Sequence, residues 1–219
     1  MFIGHYAVAL GAKRAAPRAP LWALVVAVQW PDLLWPILLL TGVEQVRIDP
    51  GNTAFTPLDF VHYPVTHSLA MDLMWGAVVG AFFLWRLRDG RAAVVLGLSV
   101  VSHWVLDWIS HRPDLPLWPG GPLVGLELWR SVPATVVTEV LMLAVGLWLY
   151  TRATSARDRT GRWAFWGLIA FLGLAYVGNL TGPPPPSVPA LAWVSLTLWL
   201  LVPWAAWIDR HRLVADDGP

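Results

Sequence analysis

Six apolar runs of roughly 20 residues each constrain this chain more than any other feature. They fall at roughly 20–43, 65–86, 91–111, 132–151, 162–180 and 188–208. About 20 apolar residues in a row is what an α-helix needs to cross the hydrocarbon of a bilayer. Lipid gives the backbone no hydrogen-bond partner, so such segments fold as helices and pack together. Composition agrees: 57% of the 219 residues are hydrophobic and only 13% charged, with a mean hydropathy of +0.56. A soluble domain is about a quarter charged. The expected fold is all-α: a polytopic membrane helix bundle forming a single domain over 1–219, with about six transmembrane helices.

One further apolar stretch, MFIGHYAVALGA, is too short to span and reads as an N-terminal half-helix. It does not read as a cleavable signal, because Lys13, Arg14 and Arg18 follow it where a signal has its basic residues in front. The loops alternate in charge. Lys and Arg crowd the segments before the first run, between the second and third, between the fourth and fifth, and after the sixth. By the positive-inside rule both termini are expected in the cytoplasm, with loops 44–64, 112–131 and 181–187 outside. Those outer loops are rich in Pro and Gly and can cap the helix ends. Asp114 and Glu127 there read as solvated charges. The absence of cysteine excludes disulfides, thiolate metal sites, Fe–S clusters and cysteine nucleophiles. A net charge of +1 gives no footprint for direct nucleic-acid binding.

Ionisable residues inside membrane spans are expensive and mark function by default. Here they are His5, Asp32, His62, His67, Asp72, His103, Asp107, His111 and Glu139, almost all in the first two-thirds of the chain. In VSHWVLDWISH, His103, Asp107 and His111 recur every four residues, so they form one stripe rising about 6 Å per step. Two neighbours can share one ion, whereas the outer pair, about 12 Å apart, cannot. Imidazole and carboxylate without thiolate suit one or two divalent ions: Zn, Mn, Fe, Ni or Mg. The stripe could equally be a polar face bonded within the bundle or lining a wet cavity.

Two other segments approach it. In HYPVTHS, Pro64 keeps His62 in extended chain and Thr66 can cap the helix carrying His67. In QWPDLLWP, Pro31 and Pro36 interrupt the helical ladder around Asp32. Counting rises from the basic ends puts His5, Asp32 and His103 at one level, with His67, Asp107 and His111 above them. Glu139 and His62 are the candidates for proton transfer. Asp72 is a candidate for orienting a ligand from behind, although it and Glu139 could also serve only in helix–helix hydrogen bonds. Residues 1–130 would carry the metal-site core, and 131–219 the supporting helices and a short polar tail.

GHY at 4–6, PD at 31–32, THS at 66–68 and the HxxxD of His103 and Asp107, in that order, resemble the inner-membrane metal-dependent hydrolases described as LexA-binding. The resemblance covers roughly residues 1–130. It implies a bacterial inner-membrane protein with a divalent-metal site, hydrolytic activity, and His5, Asp32, His67, His103 and Asp107 as ligands. His62 matches the first position of the family's histidine signature. The chain departs from the pattern at Leu34, where a second acid is favoured, and at Tyr63 and Pro64, where Arg tends to follow the first His. The leading expectation is a hydrolase acting on an ester or phosphoester of a membrane lipid or lipid-linked substrate. The alternatives are a metal-ion or small-solute transporter built on the same cluster, and bis-histidine haem or quinone binding.

Overall fold

The computed structural model describes residues 1–215. Helix α1 (Ile3–Ala15) is the short N-terminal helix. Six units are long and apolar enough to cross a membrane: α2 (Leu21–Leu40), α3 (Leu69–Leu87), α4 (Gly90–Ser110), α5 (Val132–Ala153), α6 (Arg159–Thr181), and the pair α7 (Val188–Leu196) and α8 (Leu201–Arg210) acting as one span. The helical bundle expected from the apolar runs is therefore what forms. The last span is not one smooth helix. A 3₁₀ turn at Thr197–Leu200 joins α7 to α8, just ahead of Pro203, whose ring nitrogen cannot donate to the carbonyl four residues back.

Helix α2 is the axis of the bundle: 61% of its apolar window is buried, against 17% for α3 and α5. The outer helices turn large apolar side chains outward, among them Leu73, Leu98, Leu141 and Leu174. An apolar exterior of this extent belongs in lipid. Prolines 31 and 36 sit inside an unbroken α2, so the interruption expected there is confined to two missing N–H donors. Neighbouring helices pack around α2 and tolerate the loss.

Helices α3 and α4 form a hairpin whose backbones touch through glycine. A methyl group at Gly76 would come within 2.7 Å of the Gly97 carbonyl, and one at Gly80 within 3.2 Å of the Ala93 carbonyl. Small residues permit this approach, and it holds the start of α3 against the end of α4. At that end the chain folds two small hairpins, β1 (Gln45–Ile48) with β2 (Leu58–His62) and β3 (Leu115–Pro116) with β4 (Leu123–Val124). They close over the helix ends around Trp35, Leu39, Tyr63, Trp104 and Leu115. At the opposite end β5 (Thr154–Ala156) pairs with β6 (Arg212–Val214). All but three of the chain's 15 Lys and Arg residues lie toward this second end, the exceptions being Arg47, Arg112 and Arg130.

Candidate metal centre

Helix α4 supplies two donors one turn apart, His103 and Asp107, both buried. His103 Nδ1 lies 2.7 Å from the Val28 carbonyl of α2. A carbonyl only accepts, so Nδ1 carries the proton and the neutral ring keeps its lone pair on Nε2. That Nε2 is buried and has no hydrogen-bond partner, although Asp107 Oδ2 is only 3.2 Å away and Asp32 Oδ1 3.8 Å away. Close spacing without hydrogen-bond direction is what donors show when they converge on a common point.

His67 is prepared in the same manner. Its Nδ1 is 2.6 Å from the Thr66 hydroxyl, which donates onward to Glu44 Oε2 at 2.7 Å. The hydroxyl proton is committed to Glu44, so Thr66 accepts from Nδ1–H and Nε2 is left with its lone pair. That atom lies 3.5 Å from Asp32 Oδ1 and 3.8 Å from Asp107 Oδ2. Helix α3 begins at Leu69 with Ser68 as its cap, accepting from the Met71 N–H. Thr66, expected to be the cap, is thereby available to orient His67.

Asp32, His67, His103 and Asp107 thus bring four donor atoms together with neighbouring separations of 3.2–3.8 Å. Ligands about 2.1 Å from a four-coordinate ion are roughly 3.4 Å from one another. One buried and one partly exposed carboxylate, Asp107 and Asp32, also leave negative charge that a dication offsets. The residues fit a divalent ion in donor chemistry, spacing and charge. Three of the four side chains are almost wholly enclosed, whereas Asp32 is 27% exposed, so the group opens on one side only.

His5 forms a second three-donor group with His103 and Asp107, beside the group of Asp32, His67 and His103. Its ring stacks on His103 at 3.8 Å, nearly parallel, and its Nε2 is 3.2 Å from Asp107 Oδ1. The Met1 nitrogen contacts the same oxygen. Asp107 therefore gives Oδ1 to the α1 side and Oδ2 to the four-donor point. Glu139 uses one oxygen for α1, while its Oε1 is buried without a hydrogen-bond partner among the described residues. Its Oε2 accepts from the N–H groups of Phe2 and Gly4, at 2.9 and 3.0 Å, and so ties the start of α1 to α5.

His111 and His62 stand outside the group. Residue 111 follows the last turn of α4 in extended conformation, so the four-residue spacing no longer places it on the helical stripe. His111 Nδ1 is 3.0 Å from Asp114 Oδ1, and its ring packs against Trp129 and Phe60. Asp114 is buried, not solvated, and also receives the Tyr63 hydroxyl and Arg112 Nε. Burial and the Asp114 charge push the Tyr63 phenol well above its ordinary value, so it remains a donor. Arg112 continues to Asp59, which Arg47 also grips. Here the histidine and its carboxylate brace the cap. His62 ends β2, paired with Gln45, and is exposed. Asp72 is fully buried with neither oxygen bonded. The Val28 carbonyl and Thr66 orient the histidines in its place.

The sequence reading missed Glu44, Thr66 as a relay, and the Val28 carbonyl. Glu44 lies in a loop 22 residues before Thr66, and only its burial beside three donors, the N–H groups of Val65 and Thr66 and the Thr66 hydroxyl, reveals its part. A hydrogen-bond partner behind a ligand is typically worth roughly 10–100-fold in metal affinity. Glu44→Gln is expected to weaken metal binding by that factor in chelator competition. An unchanged affinity would remove Glu44 from the centre.

A family model described as YdjM inner membrane protein matches residues 1–182. No curated protein matches the chain, and no solved structure matches it.

Proposed function

The chain belongs to the YdjM inner membrane protein family, and we propose that it is a membrane-embedded, metal-dependent hydrolase. The observation that carries this reading is the convergence of Asp32 Oδ1, His67 Nε2, His103 Nε2 and Asp107 Oδ2, with the far nitrogen of each imidazole already hydrogen-bonded. One divalent ion, with Zn, Mn or Fe favoured over Mg by the two imidazoles, would be held there. Such an ion supplies a nucleophilic water at neutral pH and polarises an ester or phosphoryl oxygen.

The protein's own residues do the rest. Val28 and the Thr66–Glu44 relay fix both imidazoles in the tautomer that presents Nε2. His5, stacked on His103 and bonded to Asp107, restricts the orientation of both. The cap and the tight α3–α4 hairpin keep water from reaching the donors except beside Asp32. That one-sided exposure supports catalysis, since a purely structural metal site is closed. The centre lies near the capped helix ends, within reach of lipid, which supports a lipid or lipid-linked ester as substrate. The transporter reading has less support: α2, expected to break at Asp32, is continuous.

The test is metal analysis of the detergent-purified protein together with hydrolysis of long-chain ester and phosphoester substrates. About one divalent ion per chain is expected, with turnover that a chelator abolishes and the ion restores. Asp32→Asn should lower turnover far more than thermal stability. Bound metal with cation uptake into liposomes but no ester turnover would replace hydrolysis with transport. Absence of metal would end both.

A further inference from the structure

At the basic end, away from the four-donor centre, the structure holds a cavity of about 390 Å³. It is bounded by the α1–α2 connection, the end of α5, the last turn of α8 and β6. Among the described residues three cations line it, Lys13, Arg18 and Arg212, against one carboxylate, Asp209, and Arg18 also lies 3.6 Å from Asp89 at the surface. Asp209 is already engaged, because its two oxygens accept from the N–H groups of Leu21 and Trp22 and cap α2.

Lys13 is the informative residue. It is 5% exposed and makes no ion pair within 4 Å among the described residues, the nearest opposing charge being the Asp209 carboxylate across the cavity, which still acts on it electrostatically. Among the described residues its one hydrogen bond goes to a neutral acceptor, the Ala19 carbonyl at 2.7 Å. An ammonium has three donors, and a buried charge is costly until an opposite charge meets it. Arg212 is similarly placed. Its guanidinium lies over the rings of Tyr150 and Phe165, at 5.2 and 4.8 Å, which fixes its plane. Nε and Nη2 bond Thr154, out of five N–H donors that the group carries. Exposed Trp148, Trp163 and Trp207 lie within about two turns of the same helix ends. Indole rings gather at the membrane–water boundary, so the cavity sits at headgroup depth.

From the buried lysine, the excess of cations over the single carboxylate, the pre-set guanidinium and this depth, we infer that the cavity is a binding site for the phosphate of an anionic phospholipid headgroup. Basic pockets between transmembrane helices are suited to such headgroups. Lys13 provides the buried charge, Arg212 the oriented fork, and the exposed Arg18 the outer contact.

The experiment is a titration of detergent-purified protein with phosphatidylglycerol, phosphatidylcholine or inorganic phosphate, following melting temperature and, by native mass spectrometry, retained lipid. Ligand bound only to the folded state raises the melting temperature with concentration. Phosphatidylglycerol should stabilise the wild type at concentrations where phosphatidylcholine and phosphate do not. Lys13→Met and Arg212→Gln should each weaken the response at least tenfold. Arg18→Gln changes a side chain that is 84% exposed, so folding is preserved, and it should weaken the response severalfold. Equal responses to the two lipids would overturn the proposal, as would a wild-type response retained in Arg18→Gln and Arg212→Gln. A shift with inorganic phosphate as large as that with phosphatidylglycerol would overturn the lipid as its source.

Discussion

His103→Ala is expected to yield a folded protein with almost no bound metal and no metal-dependent turnover. His103 is the residue on which the proposed centre turns. It faces Asp107, Asp32 and His67 on one edge, bonds the α2 backbone on the other, and stacks on His5. Losing a direct donor should weaken affinity by more than the roughly 10–100-fold that follows from losing a partner behind one. The informative comparison is His111→Ala. That imidazole is equally buried and adjoins the same helix, yet it packs on Trp129 and bonds Asp114. It should lose cap stability and keep its metal. Retention of metal by His103→Ala, or its loss from His111→Ala, measured by elemental analysis on protein with native helix content, would reassign the donors.

Glu139→Ala is expected to destabilise the protein by about 2–6 kcal/mol, because it strands one buried and one partly buried N–H group at about 1–3 kcal/mol each. Those groups, on Phe2 and Gly4, open α1, and no residue within α1 can satisfy them. Glu139→Gln keeps a carbonyl oxygen in the same place and should recover most of that loss. The pair also separates two roles for this residue. A general base loses its function in the glutamine variant, whereas an anchor largely keeps it. Thermal melts and turnover of both variants, compared directly, decide the matter. A stable but inactive Glu139→Gln would make Glu139 catalytic.

The bundle was legible because lipid leaves the backbone few choices. Six apolar runs predicted six spans, and the boundaries of the third fell within a residue of α4. The donors at His103 and Asp107 were legible for a local reason, four-residue spacing on one helix. His111 continued the same spacing but not the same helix, and a periodicity argument has no view of a helix's last residue. His62 was read with His67 because they are near in sequence, yet β2 directs one to the surface while the turn after Pro64 brings the other inside. Glu44 was invisible because its partnership with Thr66 exists only after the outer loop folds back onto the start of α3. Of the family resemblance, membership of an inner-membrane family stands on the match over residues 1–182. The metal and the hydrolysis are the proposals argued above.

The tie between Glu139 and α1 has a consequence for biosynthesis. Every donor of the centre is on the nascent chain once Asp107 has been made. The residue that fastens α1, and with it His5, comes more than 30 positions later, on the fifth helix to form. A ribosome-bound intermediate ending near residue 130 would hold the ligands in the bilayer with that helix held by α2 and α4 alone. The Glu139 tie should therefore form only after insertion of α5, and in a truncation series the protection of α1 against proteolysis should show a threshold there, well past the last ligand.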